Sequence, residues 1–233
     1  MQKKRRFLLS VAPAVCALSF VLSGCGLENI PYYDPPVFLS DGSTILTLRD
    51  NGNVATDDSS FKGYEVFYRA YTSSGTAESI QETLTTYAAS VVDGDMEPDS
   101  FMTYAENLGF VRMRRLSDTA APLIAPTDTS NYYIQLPQSQ DWYIWQDGSS
   151  TQTSVARTIS STTRLSFYIA SNYHGSNDTN GSDADFAGTA TPSTGTTLYF
   201  VFFAAGYWIN TEDLTANYGA PEVADFVSYT PGA

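Results

Sequence analysis

The chain has 233 residues, with 12 Lys and Arg against 25 Asp and Glu, one histidine, two cysteines and a formal net charge of −13. Cys16 and Cys25 are too few for a disulfide framework or a thiolate zinc site. So large an excess of carboxylates repels phosphate, which disfavours nucleic acid as a partner.

The first 24 residues differ in kind from the rest. Lys3, Lys4, Arg5 and Arg6 form a basic head, and Phe7 to Leu22 is mostly apolar, interrupted at Pro13. This order reads as a secretory signal and not as a permanent membrane span. From Cys25 onward the chain holds 8 basic and 25 acidic side chains, so its net charge is −17. Leu22-Ser23-Gly24-Cys25 resembles the lipobox of bacterial lipoproteins: an aliphatic residue, two small residues and the cysteine that receives the lipid. The resemblance implies cleavage between Gly24 and Cys25, diacylglycerol on the Cys25 thiol and a further acyl chain such as palmitate on the new amine. Two or three chains anchor a protein stably where one is marginal. Gly26, which follows the cysteine, by the same resemblance favours the outer over the inner membrane of the cell envelope. Cys16 is a small apolar residue of the signal.

The expected organisation is a signal peptide over 1–24, a lipidated N-terminus and short tether over 25–36, and a single β domain over 37–233. Residues 26–36 contain three prolines and no helical period. Eleven such residues reach at most roughly 36–40 Å. Beyond them, Val37–Leu39 and Thr44–Leu48 are short β-prone runs, and Asp50-Asn51-Gly52-Asn53 reads as a hairpin-type turn. Phe61 to Tyr71 alternates, with Tyr64, Val66 and Tyr68 opposite Glu65, Phe67 and Arg69.

The period then changes. Ile80, Leu84, Tyr87, Ala88 and Val91 recur at helical spacing behind Thr76, a plausible N-cap. Asp99 or Ser100 can cap a second helix that carries Phe101, Ala105 and Leu108 and stops at Gly109. Strands are expected again over Phe110–Leu116, Asn131–Leu136, Trp142–Trp145, Ser154–Ile159, Arg164–Ala170, Thr197–Ile209 and Val223–Tyr229. Thr197–Ile209 is nearly all apolar, as in a strand buried on both faces.

Phe61-Lys-Gly-Tyr-Glu-Val-Phe-Tyr-Arg69 resembles the third strand of fibronectin type III domains. Pro35-Pro36 and the run Leu198–Ala205 are similar to their first and sixth strands. The resemblance covers about a third of the chain and implies an immunoglobulin-like or fibronectin-like β-sandwich with a helical insertion over 76–108. The usual second-strand tryptophan is missing. The order of lipobox, Gly-Tyr-Glu-Val-Phe-Tyr-Arg strand, helices and Gly-Phe-Val-Arg-Met-Arg-Arg strand also resembles small uncharacterised spirochaete lipoproteins. It implies location and not activity.

Few residues point to chemistry. His174 is the only histidine, so a histidine-based triad or a zinc site lacks partners. Asn177 to Asp185 clusters oxygen ligands around Gly181, with Asp178, Asn180, Asp183 and Asp185 as the candidate ligands for Ca²⁺. As an EF-hand the segment fails, because Ala187 falls where the bidentate glutamate belongs, and a solvated hairpin loop is the plainer reading. Asp93, Asp95, Glu97 and Asp99 form an acidic run that reads as a solvated face. A carboxylate-based hydrolase would need two carboxylates across a cleft, which no spacing here specifies. Arg112, Arg114 and Arg115 are expected to pair with carboxylates. Trp142, Trp145 and Trp208 are the candidate binding residues, since exposed planar rings stack on sugar faces or anchor protein partners. Trp142 and Trp145 are three apart, so one should face the core and the other outward. The expected function is a membrane-anchored, non-catalytic binding or structural role. A glycan-binding or adhesin-like surface module is the alternative, and a carboxylate-based hydrolase the second.

Overall fold

A computed structural model describes residues 33–40, 42–53, 60–116, 122–125, 131–159, 163–179, 181–210 and 214–232. The signal segment, Gly24, Cys25, Gly26 and Asn180 lie outside the described residues. The described residues are mainly β, with largely antiparallel sheets and two α-helices. The strands are β1 (Val37–Ser40), β2 (Ile45–Arg49), β3 (Phe61–Tyr71), β4 (Val111–Arg112), β5 (Arg114–Arg115), β6 (Tyr132–Gln135), β7 (Tyr143–Gln146), β8 (Thr153–Thr158), β9 (Arg164–Leu165), β10 (Phe186–Ala187), β11 (Leu198–Ile209), β12 (Ala216–Val223) and β13 (Val227–Tyr229). The helices are α1 (Ser74–Val92) and α2 (Pro98–Asn107).

One sheet runs β1-β2-β6-β7-β8-β5, with β9 on β8; the other runs β10-β3-β11-β12, with β13 on β11 and β4 on β3. The facing sides of the two sheets form the first core. Phe38, Leu46, Leu48, Ile134, Trp142, Ile144 and Val155 come from the first sheet and its flanks. Tyr64, Val66, Tyr68, Phe200 and Phe202 come from the second. The far side of the second sheet carries Phe67, Tyr71, Val201 and Phe203. It is covered by Ala77, Leu84, Ala88 and Val91 of α1 and by Phe101, Met102 and Ala105 of α2. The result is three layers: sheet, sheet, helices. β3 and β11 form the middle of the second sheet and are buried on both sides, as the unbroken apolar run of β11 requires.

The helices fall where the 3.6-residue period places them, with shifted caps. Ser73, not Thr76, caps α1, and its Oγ accepts from the Thr76 amide. α2 begins at Pro98 with Glu97 as its cap, two residues before Asp99 and three before Ser100, because proline suits the first turn, where its missing N–H costs nothing. Gly109 follows α2 in the left-handed region at φ 83°.

Four expectations are corrected. Phe110–Leu116 is not one strand: it divides into β4, paired with β3, and β5, paired with β8, in different sheets. Asp50–Asn53 is not a hairpin turn: β2 and β3 belong to different sheets, so the turn, with Gly52 at φ 96°, leads from one layer to the other. Arg164–Ala170 keeps strand geometry only at Arg164–Leu165 and ends in one turn of 3-10 helix at Ala170–Asn172. Val223–Tyr229 is two strands, β12 ending at Val223 and β13 starting at Val227, each on a different stretch of β11. The tether also joins the fold earlier than expected. Tyr33 is buried against Phe61, its phenol 2.6 Å from the Ser60 hydroxyl. The Asp34 amide donates to Asn53 Oδ1, and Asn53 Nδ2 donates back to the Asp34 carbonyl.

Candidate functional site

The three tryptophans do not converge. Trp142 is completely buried, stacked on Phe167 at 3.9 Å between ring centroids and edge-on to Phe200 and Tyr229. Trp208 is 7% exposed and tilts against Tyr33. Both belong to the core between the sheets. Only Trp145 reaches the surface. It is half-buried and stacks on Tyr133, with centroids 4.3 Å apart and planes 23° from parallel. The opposite facing of Trp142 and Trp145 follows from strand alternation, and the burial of Trp208 follows from its place in the apolar run Thr197–Ile209, a strand buried on both faces.

Trp145 stands on the outer side of the first sheet, the one broad sheet face among the described residues that neither the helices nor the other sheet covers. Its pairing sets side chains in rows. Leu39, Thr47, Tyr133 and Trp145 align across β1, β2, β6 and β7. Ile45, Gln135, Tyr143 and Ser154 form the next row. Successive residues of a strand point to opposite faces, so the inward Phe38, Leu46, Ile134 and Ile144 put both rows outward. Leu39 is 58% exposed and Ile45 is 38% exposed.

Most charged groups that come together are held in structural pairs. Arg157, fully buried in β8, is the hub that the sequence reading missed. Its Nε donates to Asp185 Oδ2 at 2.9 Å, and its Nη2 donates to Asp185 Oδ1 at 2.6 Å and to Asp183 Oδ2 at 2.9 Å. Nη1 donates to the Asn172 carbonyl, and the guanidinium lies 3.6 Å from the centroid of the Tyr173 ring. Tyr68 of β3 donates to Asp185 Oδ2 at 2.7 Å and accepts from the Thr158 amide, so the network ties both sheets together. Burial works against the Arg157 charge, but Asp185 more than offsets it and holds the pKa above the ordinary arginine value. Burial, followed by the Asp185 charge, pushes the Tyr68 phenol well above its usual range. The available signal was parity: Arg157 shares the inward side of its strand with Val155, and an inward arginine demands buried carboxylates.

Asp183 and Asp185, named as oxygen ligands for Ca²⁺, therefore face a guanidinium, and Asp178 accepts from Thr191. His174 donates its amide to Asp183 Oδ2 and sets Nδ1 3.3 Å from Oδ1. Among the described residues no group of three or more His, Cys, Asp or Glu is placed to hold a metal ion. Arg112 Nη1 donates to the buried Glu65 at 3.0 Å, as expected for the basic cluster, while Arg115 donates from Nε and Nη2 to the Leu123 carbonyl. Burial raises the Glu65 pKa to about 7, against the pull of Arg112. Asp93, Asp95, Glu97 and Asp99 are exposed between the helices, and among the described residues no helix is long and apolar enough to cross a membrane.

Comparison with protein-family models, with curated proteins and with solved structures gave no match.

Proposed function

We propose that the chain is a lipid-anchored protein of the cell envelope that works by binding and not by catalysis. Residues 1–24 would be its signal peptide, Cys25 its lipid attachment point and the outer membrane its favoured location, on the strength of Leu22-Ser23-Gly24-Cys25 followed by Gly26. The observation that carries the binding role is the open outer side of the first sheet, where Tyr133, Tyr143 and Trp145 stand on rigid strands while the best-formed charged groups are spent inside the fold. A body of net charge −17 is repelled by anionic lipid, so the acyl chains and not the protein surface hold it at the membrane.

The fibronectin-like reading of the sandwich finds support in the strand order. β1-β2-β6 facing β3-β11-β12 corresponds to strands A-B-E facing C-F-G of an immunoglobulin-like domain. The helices follow the C-like strand. A parallel β10 and the extension of the first sheet through β7, β8 and β5 are departures from that plan.

A glycan-binding or adhesin-like surface module is the second reading, and it rests on Trp145 alone, since Trp142 and Trp208 are interior. A carboxylate-based hydrolase finds no support in Asp183 and Asp185, which Arg157 engages. The test of the main reading is Cys25→Ser. The variant is expected to lose incorporation of labelled palmitate and leave the membrane fraction or accumulate unprocessed. A variant that fractionates as mature membrane protein would overturn the anchor. Crosslinking in intact cells with mass spectrometry should then capture a partner at the first sheet.

A further inference from the structure

We infer that the groove between α1 and the free edge of β12 takes a basic, extended segment of a protein partner, which adds to the second sheet beside β12. This surface belongs to the helical layer, on the other side of the molecule from Trp145, so the inference goes beyond the binding face proposed above. The groove has a volume of about 230 Å³ and runs along the flank of α1 from Thr85 to Asp93, with Pro221–Val223 as its other wall. Its lining is largely apolar, with Ala88, Ala89 and Val92 from the helix and Pro221 and Val223 from the strand. Val92 is 48% exposed, and Thr85 and Ala89 are exposed beside it. Thr85, Ala89 and Val92 follow the spacing of one helix face, turned aside from the Leu84 and Val91 face that packs on the sheet.

The strand wall offers main-chain bonds. β12 is the outer strand of its sheet and pairs with β11 on one side. The Ala224 amide donates to the Phe202 carbonyl at 3.1 Å, in register with the pairing of Val223 opposite Phe203. Bonded and open positions alternate along an antiparallel strand. Ala224 and Glu222 therefore bond to β11, whereas Pro221 and Val223 turn their main-chain groups to the outer edge. A proline suits such a position, because the ladder needs no amide there. The Val223 N–H and C=O and the Pro221 C=O are thus placed to bond an added strand. Val223 shares the helix side with Phe203, and Glu222 faces the opposite side with Ala204. Alternate side chains of the added strand would meet the groove and Glu222 in turn. Further back, Tyr33 packs on Gly219, which confines the open edge to the end of β12.

Charge states what fills the groove. From Thr72 to Phe110 the chain has seven carboxylates, all exposed, and no lysine, arginine or histidine. Glu78 and Glu82 continue the stripe of Thr85 towards the start of α1, and Asp93 closes its other end. α1 has no basic residue in its last turn, so the negative pole of the helix adds to Asp93. Glu82 and Asp93 lie about 16 Å apart along the helix axis, the reach of roughly five residues of extended chain. A lysine or arginine at each end would lay its methylenes on the apolar lining and its head beside a carboxylate. The same field repels anionic lipid and a second copy of this −17 chain.

The probe is the blocked peptide Lys-Thr-Val-Lys-Val-Thr-Lys. When extended it puts valines between lysines on one side and a central lysine on the other. It is labelled and titrated by fluorescence anisotropy with the full lipidated protein in zwitterionic micelles. Binding is expected to weaken as salt is raised, and the peptide with glutamate for lysine is expected not to bind. Ala89→Arg fills the groove and opposes the lysines, and should weaken binding roughly tenfold or more. Glu106→Arg puts the same charge on α2 outside the groove and should cost less than about twofold. Methylating the central amides of the peptide removes its edge bonds and should weaken binding by roughly tenfold. Trp145→Ala should leave the affinity unchanged, which separates this surface from the first sheet. Circular dichroism and urea midpoints establish that each variant is folded. No binding of the basic peptide, equal binding of the acidic one, or equal losses in Ala89→Arg and Glu106→Arg would overturn the inference. So would undiminished binding of the methylated peptide.

Discussion

Arg157 grips Asp185 through two hydrogen bonds, Nε to Oδ2 at 2.9 Å and Nη2 to Oδ1 at 2.6 Å, inside the layer between the sheets. Replacing Arg157 by Met leaves the Asp185 and Asp183 carboxylates buried without their cation. The expected loss of stability is about 3–5 kcal/mol. Asp185→Asn keeps a hydrogen-bonding side chain beside Arg157 and Tyr68 and is expected to lose less. Urea denaturation of the two variants measures both values. Equal losses would mean that the charge of Asp185 matters and its geometry does not.

Glu65 makes stability depend on pH in a direction opposite to that of an ordinary salt-bridged carboxylate. Its folded pKa is raised to about 7 from the usual 4.5, so the folded chain holds this proton more tightly than the unfolded one. The contribution favouring the fold is fully present below about pH 4.5 and is lost as pH rises through about 7. Glu65→Gln is expected to flatten that part of the profile, by on the order of 3 kcal/mol between the two limits. Urea midpoints from pH 4 to 8 for wild type and variant give the comparison, and identical profiles would refute it.

The sorting of tryptophans has a direct spectroscopic consequence. Trp142 and Trp208 are interior and Trp145 is at the surface. Acrylamide should quench one class of emission strongly and another weakly, and Trp145→Phe should remove the strongly quenched class. Stability should separate them as well. Trp142→Ala should cost about 3–5 kcal/mol, the range for emptying a buried aromatic site, whereas Trp145→Ala should change the urea midpoint only slightly.

Gly109 combines a left-handed backbone with a crowded site. A Cβ there would sit 2.7 Å from the Ala184 carbonyl oxygen and 3.0 Å from the Arg69 guanidinium carbon, at φ 83°. Gly148, at φ 76°, would place a Cβ in open space. Gly148→Ala should therefore cost only the backbone strain, about 1–2 kcal/mol. Gly109→Ala should cost clearly more, because the α2 terminus or residue 184 must shift. Chemical denaturation of the pair gives the difference, and equal costs would show that the 109–184 approach relaxes freely.

Much of the architecture was legible in the sequence, because period is a local signal. The alternation of Phe61–Tyr71, the apolar run of Leu198–Ile209 and the helical spacing from Ile80 to Val91 each became the expected element. β12 was missed up to Val223 because Gly219 and Pro221 weaken a strand pattern. It lies at the outer end of its sheet, where a missing amide donor is tolerated. The Asp50–Asn53 turn was legible as a turn but not in its destination, since which sheet receives the next strand depends on pairings more than a hundred residues away, such as Tyr64 with Gly206. The surface site was legible only in part. Parity separates Trp142 from Trp145, but the pairing of Tyr133 with Trp145 is a matter of register between β6 and β7. Trp208 is claimed by Tyr33, from a segment that read as tether.

The burial of Tyr33 has a mechanical consequence for the anchor proposed at Cys25. Were the chain held at Cys25, the eight residues up to Tyr33 would reach at most about 26–29 Å. Drag on the body would be transmitted first to the Tyr33–Ser60 and Asp34–Asn53 contacts and only afterwards to the β1–β2 ladder. These contacts would act as a strain relief at the point where the described fold begins, so that force must free Tyr33 before it can peel the edge strand from its sheet.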